Sequence, residues 1–220
     1  MRAVTNLTVH GIGETAREPD PGEDATWVTV EQFEQVVDAV ADRPDVRITF
    51  DDGNASDVEI ALPRLVERGL KAEFFVLAGL LGEPGRLDAA GVRELTGAGM
   101  RVGSHGWAHR DWRTLQGPQV AEEFTRAHAV LSELTGAPVS RVAIPFGSYD
   151  RQVLRRLRMA GVTRAYTSDG GKARPGSWLQ ARNSLKHDLD DDWIRRVLDG
   201  GPSLARRAGK LGMRLYKRVR

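Results

Sequence analysis

Two short polar motifs in this chain carry residue types that can hold a metal ion and move protons. Asp51 and Asp52 are adjacent and follow an apolar run, and His105 and His109 are spaced i, i+4 after another. One carboxylate and two imidazoles form a three-ligand set that leaves coordination positions open for water and substrate. Adjacent residues at a strand end point in different directions, so one carboxylate can bind metal while the other accepts a proton. We predict Asp52 as the ligand and Asp51 as the base of a metal-dependent hydrolase.

The composition narrows the metal site and the fold. The 220 residues include no cysteine, so any metal must be held by His, Asp or Glu. Hydrophobic residues make up 40% of the chain, which is enough for a substantial core. Residues 1–199 show no internal repeat and no dividing linker, and we predict that they form one catalytic domain followed by a tail at 200–220.

The elements that position these motifs alternate between strands and helices. The capping-box spacing of Thr29 and Gln32 precedes a helical pattern, and further helices are predicted over 56–68, 89–98, 118–135 and from Asp150 to Ala160. Apolar runs predict strands at 7–9, 46–50, 72–77, 100–103, 141–144 and 164–167. The polar motifs directly follow strands, and in a (β/α) barrel those strand ends share one face. His10, at the end of the first strand, belongs to the same rim.

The motifs resemble those of the polysaccharide deacetylases, carbohydrate esterase family 4, which share the NodB homology domain. Thr49-Phe50-Asp51-Asp52-Gly53 is similar to the first family motif, and Ser104-His105-Gly106-Trp107-Ala108-His109 is similar to the second in spacing. The resemblance implies an irregular (β/α) barrel of about seven strands. It also implies that Asp51 is the base and that Asp52, His105 and His109 bind a divalent metal, usually zinc, with Co²⁺, Ni²⁺ or Mn²⁺ as alternatives. The implied reaction removes the acetyl group of an N-acetylated sugar.

The chain departs from the family pattern at two positions. The third motif normally carries an arginine that orients the base, and Ala143 stands there. We predict that Arg182 supplies a guanidinium from another strand. The fifth motif normally carries a histidine that acts as the acid, and His187 lies in a polar stretch that indicates a loop. His10 is the predicted substitute, and the alternative is that it only orders the first loop.

Substrate contacts are predicted from the third motif and from nearby aromatic residues. The resemblance places an aromatic residue after Pro145, so the backbone N–H of Phe146 is expected to help hold the oxyanion. Trp107, Trp112 and Phe146 are candidates for a platform under a sugar ring. The alternative for each is that it belongs to the core.

The charge distribution bears on partners and location. The net charge is +2, but residues 203–220 carry seven basic and no acidic residues, and the remaining 25 basic residues face 30 acidic ones. A body of net charge about −5 argues against nucleic-acid binding. The tail has the spacing of a basic amphipathic helix, which suits an anionic membrane surface, although Gly209 and Gly212 favour a solvated tail instead. With no signal peptide or spanning segment visible, we expect a cytoplasmic protein with 203–220 as a candidate for peripheral contact with the inner face of the membrane.

The sequence therefore predicts a metal-dependent hydrolase that removes an N-acetyl group from a saccharide, a glycolipid or a biosynthetic sugar intermediate. Two alternatives remain open at this point. One is an amidase or deformylase of the same fold that acts on a small or lipid-linked amide. The other is a carbohydrate-binding descendant without activity, which the retained Asp51 argues against. The sequence makes no prediction of the oligomeric state.

Overall fold

The computed structural model describes residues 3–15, 17–19, 23–200 and Lys217 of the chain. Within these residues the β-structure comprises eleven strands: β1 Val4–Val9, β2 Gly11–Ile12, β3 Trp27–Val28, β4 Val46–Phe50, β5 Ala72–Val76, β6 Arg101–Ser104, β7 Arg141–Ala143, β8 Arg164–Thr167, β9 Lys172–Ala173, β10 Leu179–Ala181 and β11 Asn183–Ser184. Strands β2 and β3 pair separately, and the other nine form one sheet.

The large sheet curves into a nearly closed barrel. Its order is β10-β8-β7-β6-β5-β4-β1-β11, with every neighbour parallel, and β9 adds to β1 in the antiparallel direction. The two ends of this order, β10 and β11, are consecutive pieces of a single extended segment. Its first part pairs with β8 and its second part pairs with β1, so the segment bridges the two edges of the sheet. The predicted irregular (β/α) barrel is confirmed, and its wall has seven positions if this segment is counted once.

Seven α-helices are found in the described part of the chain: α1 Val30–Val40, α2 Leu62–Glu67, α3 Ala89–Gly97, α4 Pro118–Ala121, α5 Ala127–Thr135, α6 Arg151–Met159 and α7 Asp191–Leu198. The predicted capping box is present, because the Thr29 hydroxyl accepts from the Gln32 amide and the Gln32 side chain accepts from the Thr29 amide. The hydrophobic face of α1 packs onto the barrel, where Phe33 meets Phe50 edge-to-face.

Two predicted helices contain a wider π-helical turn. The pattern over 56–68 forms a π-helical segment at Asp57–Ala61 followed directly by α2, with Pro63 at the second position of α2. The pattern over 118–135 forms α4, a π-helical segment at Glu122–Arg126 and α5. Such insertions are frequent next to functional sites.

The predicted basic tail falls almost entirely outside the described residues. Of the segment 203–220 only Lys217 is described, and its ammonium group contacts the Asp169 carboxylate at 2.9 Å and the Gly147 carbonyl at 3.0 Å. Among the helices that the structure describes, none combines the length and the apolar character needed to cross a membrane.

Candidate functional site

Three predicted ligands meet at the carboxyl ends of β4 and β6. Asp52 Oδ1 lies 3.4 Å from His105 Nε2 and 3.7 Å from His109 Nε2, and the ligand atoms of all three residues lie within 4.8 Å of one another. Asp52 and His105 are buried, and His109 is partly exposed. One carboxylate oxygen and two imidazole nitrogens thus converge on a point with access to solvent on one side.

The hydrogen bond of His105 and the lowered pKa of His109 suit the binding of a cation. His105 Nδ1 lies 2.9 Å from the carbonyl oxygen of Ala143, which can only accept, so Nδ1 carries a proton and Nε2 is the ring nitrogen that faces Asp52. Burial lowers the pKa of His109, and the neighbouring His105 lowers it further, so this imidazole is neutral at pH 7. Asp52 Oδ1 is buried without a hydrogen-bond partner in the described structure. An orphaned carboxylate oxygen facing two ring nitrogens fits a divalent metal such as zinc.

Strained backbone occurs at the same place. Asp52, His109 and Phe146 have φ values of +76°, +52° and +57°, and they are the only non-glycine residues in the described part of the chain with positive φ. This left-handed conformation is costly for residues with a Cβ, and such outliers cluster at functional sites. The surrounding structure therefore holds two ligand side chains and the third-motif aromatic residue in orientations that an unstrained turn would not give.

Asp51 is held by a buried ion pair on the inner side of the metal group. Its two carboxylate oxygens each accept a hydrogen bond of 2.6 Å from Arg182, one from Nη1 and one from Nη2. Burial raises the pKa of Asp51, but the charge of Arg182, aided by His105 and by the hydrogen bonds, lowers it to about 2. Asp51 is therefore ionised at neutral pH, and its Oδ2 lies 3.9 Å from His105 Nε2.

Arg182 reaches the site from the segment that closes the barrel. It is the residue between β10 and β11 and is only 1% exposed. Its Nη1 also donates to the Thr49 hydroxyl at 3.1 Å, and its guanidinium carbon lies 5.5 Å and 5.7 Å from the ring centres of Phe75 and Tyr166. The structure thus places the Arg182 guanidinium on the Asp51 carboxylate, from a different segment than the one that carries Ala143.

An open cavity of about 580 Å³ lies over these groups. His10 lines it, and the Nδ1 atom of His10 is buried without a hydrogen-bond partner in the described structure. The size is within the range of cavities that bind small ligands. Its lining residues are His10, Glu23, Thr26, Asp51, Asp52, Leu80, His105, Ala108, His109, Ile144, Phe146 and Ser168.

The aromatic candidates separate into one cavity residue and two others. Phe146 is 62% exposed and its ring centre lies 4.3 Å from that of His109, at the cavity wall. Trp107 does not line the cavity; it packs over Gly79, with the Arg126 guanidinium 4.1 Å above its ring. Trp112 is fully buried in the core. The structure therefore leaves Phe146 as the aromatic surface available to a sugar.

Two other residues that the sequence analysis considered for the site, Pro145 and His187, do not line the cavity. Pro145 is buried and does not line the cavity. His187 is exposed, its backbone N–H donates to the Ala25 carbonyl, and it is not among the residues that line the cavity.

Glu123 organises the histidine loop and was not identified from the sequence. Its carboxylate is fully buried and accepts from the backbone amides of Trp107 and Ala108 at 2.8 Å and 3.1 Å and from Trp112 Nε1 at 3.1 Å. At Gly106, which has a φ of +93°, an added Cβ would lie 2.1 Å from this carboxylate. The sequence gives one signal for Glu123, namely a glutamate on the inner face of a predicted helix. That signal does not reveal which loop the carboxylate supports.

A third carboxylate, Asp57, lies buried behind the metal group. Burial raises its pKa well above the usual range, and the negative charges of Asp52 and Asp51 raise it further. This shift favours the protonated form of Asp57. Nearby, Asn54 donates to the His10 carbonyl at 2.7 Å and accepts from Arg86, which also donates to the Asp52 carbonyl. This network ties the loop after β4 to the end of β1.

Comparison with known proteins gives one family match and several relatives. The family model described as polysaccharide deacetylase matches residues 38–165, which include Asp51, Asp52, His105 and His109. The chain is 30% identical over 134 residues to an Arthroderma benhamiae protein named "Probable peptidoglycan-N-acetylglucosamine deacetylase", covering 60% of this chain and 30% of that protein. It is 27% identical over 110 residues to a chitin deacetylase of Pestalotiopsis, covering 50% of this chain and 37% of that one. The chain thus spans well under half the length of these two curated relatives.

The fold is shared with solved structures. The deacetylase PplD of Streptococcus pyogenes, solved with acetate, superposes with a TM-score of 0.78 at 19% identity, and the match covers 90% of this chain and 99% of that one. At this identity the likeness concerns the fold alone.

Proposed function

Because the chain belongs to the polysaccharide deacetylase family, we propose that it is a metal-dependent hydrolase that removes the N-acetyl group from an N-acetylated sugar. One observation carries the proposal: a cation site formed by Asp52, His105 and His109 lies beside a second carboxylate, Asp51, that is ionised and held by Arg182. A sugar-binding protein without activity would need neither the second carboxylate nor its buried counter-ion.

Asp52 Oδ1, His105 Nε2 and His109 Nε2 would hold the metal, and zinc suits this donor set. When bound, a divalent cation supplies a Lewis acid that polarises the amide carbonyl and lowers the pKa of water. The chain's own residues must then move the protons and position the amide.

Asp51 is the proposed general base. Each of its oxygens retains lone-pair capacity beyond the one bond from Arg182, so the carboxylate can accept a proton from the attacking water. Arg182 fixes both oxygens and does not itself face the cavity lining, which makes it a positioning residue. The pair keeps the carboxylate charged and aligned before substrate arrives.

His10 and Phe146 are proposed to act on the other side of the amide. His10 lines the cavity and would donate the proton that the sugar nitrogen needs when its bond to the acetyl carbon breaks. The backbone N–H of Phe146 would stabilise the oxyanion, and its exposed ring would pack against the sugar face.

The test is acetate release from a panel of N-acetylated saccharides of increasing length, with added zinc and with chelator. Asp51→Asn is expected to lose activity by about 10²–10⁴-fold, the range of general-base contributions, while zinc content remains that of the wild type. Asp42→Asn, which changes an exposed carboxylate distant from the cavity, is the matched control and should retain activity. Activity that persists in Asp51→Asn or in the presence of chelator would contradict the proposal. Formate release from N-formylated sugars in place of acetate would instead indicate the deformylase alternative.

A further inference from the structure

The opposite end of the barrel contains a second, small cavity with an unusual concentration of positive charge. The cavity has a volume of about 340 Å³ and lies where the parallel strands begin. Its charged lining residues are Arg47 of β4, Lys71 just before β5, Glu73 of β5, and the first residues of β6, β7 and β8, namely Arg101, Arg141 and Arg164. Five cations therefore surround a single carboxylate.

The strand register brings these side chains together. Glu73 is the register partner of Arg101, and Arg141 is the register partner of Arg164. Arg47 is four residues before Asp51 on the chain, which at about 3.3 Å per residue separates the two positions by about 13 Å along the strand. The two cavities share no lining residue, so the basic one is separate from the candidate active site.

The single carboxylate of the cavity, Glu73, is already hydrogen-bonded within the protein. Glu73 accepts from Arg141 Nη1 at 3.2 Å and 3.4 Å and from the Tyr166 hydroxyl at 2.7 Å. Lys71 donates to the Ala98 carbonyl and Arg164 donates to the Pro175 carbonyl at 3.4 Å, and these neutral acceptors leave both charges uncompensated. The cluster thus keeps a net charge of about +4 in a small volume, where like charges repel.

Arg47 shows that an acceptor is missing. Its Nη1 atom is buried and has no hydrogen-bond partner in the described structure. Burial lowers the pKa of this guanidinium, and the charges of Arg164 and Arg141 lower it further against the opposing effect of Tyr166 and Glu73. A buried guanidinium donor without an acceptor is costly, and an anion in the cavity would satisfy it and neutralise its neighbours.

We propose that this cavity is a binding site for a phosphate group, free or as part of a phosphorylated molecule. Guanidinium forks match the oxygen spacing of phosphate, and several of them converge here from different strands. The volume is at the lower limit of ligand cavities and suits a small anion rather than a polymer segment. The site does not depend on the hydrolase proposal, because none of its charged residues has a role in the proposed reaction.

The test is isothermal titration calorimetry of the full-length zinc-loaded protein with inorganic phosphate at constant ionic strength. One phosphate per chain is expected in the wild type, and both Arg47→Met and Arg101→Gln should weaken binding about tenfold or more, since hydrogen bonds to charged groups are worth about that factor. Arg101 is exposed, so its variant remains informative if Arg47→Met fails to fold. Arg155→Met removes an exposed cation on α6 and is the matched control, expected to bind within about twofold of the wild type.

The source of the phosphate group is distinguished by two further probes, glucose 1-phosphate and vesicles containing phosphatidic acid. Binding of the sugar phosphate supports a small-molecule ligand, and vesicle binding that Arg47→Met and Arg101→Gln abolish supports a lipid headgroup. Two outcomes would overturn the proposal. One is an absence of phosphate binding, or its equal replacement by chloride. The other is phosphate binding that survives both arginine variants and disappears in Asp52→Asn, which would place the anion at the metal centre.

Discussion

Replacing Arg182 should reverse the sign of the pH dependence that Asp51 gives to stability. In the wild type the pKa of Asp51 falls from 3.8 to about 2, because Arg182 outweighs the effect of burial. At about 1.36 kcal/mol per pKa unit, this carboxylate contributes about 2 kcal/mol to the free energy of unfolding. Since the folded-state pKa is depressed, that contribution is fully present above pH about 4 and is lost as the pH falls towards 2.

In Arg182→Met the same carboxylate is buried without its counter-ion. Burial then raises the pKa of Asp51 above its unfolded value, so the contribution changes sign and stability decreases as the pH rises through that folded pKa. Breaking a buried pair by removing one partner costs about 3–5 kcal/mol at neutral pH. The loss should shrink towards pH 4, where Asp51 becomes protonated in the variant.

The assay is urea unfolding of both proteins between pH 4 and pH 8 in the presence of chelator. Arg182→Lys keeps the charge without the two parallel hydrogen bonds and should lose less. Arg113→Met is the control: it disrupts an exposed pair with Asp111 and should cost less than about 1 kcal/mol at every pH. A loss in Arg182→Met that is independent of pH, or that grows towards acid, would refute this account of the ion pair.

Three further changes test the site. His10→Ala should lower kcat by about 10²–10⁴-fold with zinc content unchanged by elemental analysis, and loss of zinc would contradict an acid role. Asp52→Asn should abolish the zinc-dependent rise in Tm that a site binding only the folded state produces, and an equal rise in both proteins would contradict the ligand assignment. Glu123→Ala leaves three buried or part-buried donors without their acceptor, so urea unfolding should show a loss of at least about 2 kcal/mol, whereas a loss below about 0.5 kcal/mol would show that water replaces the carboxylate.

Local patterns were sufficient for the elements and for the ligand motifs. The capping box of α1 and the strand ending at Phe50 follow from local sequence patterns, and the βα alternation predicts a (β/α) barrel without predicting its strand order. Asp52, His105 and His109 could be grouped by sequence position because each follows a strand, and strand ends share one face of a barrel. All of these features depend on the position of a residue along one helix or strand, and sequence spacing is enough to locate such positions.

The supporting residues required the tertiary structure. In the sequence, Glu123 is a polar residue on a predicted helix like several others. Only the packing of that helix against the loop after β6 shows that its carboxylate accepts three hydrogen bonds. Trp112 and Phe146 are both aromatic residues near motifs, yet one is fully buried and the other is 62% exposed. Periodicity reports which face of an element is apolar and does not report which distant segment covers that face.

Residue type and spacing specify the candidate reacting groups: two carboxylates and two imidazoles, without cysteine, at the ends of predicted strands. The protonation states and orientations of these groups depend on the tertiary structure. The bidentate contact between Asp51 and Arg182 joins residues 131 positions apart and exists because the segment at 179–184 bridges the two edges of the sheet. The five cations at the other end likewise meet through strand register, since each is an ordinary surface-type residue in its own segment. Electrostatic energy depends on distance and burial in space, and neither is a property of sequence spacing.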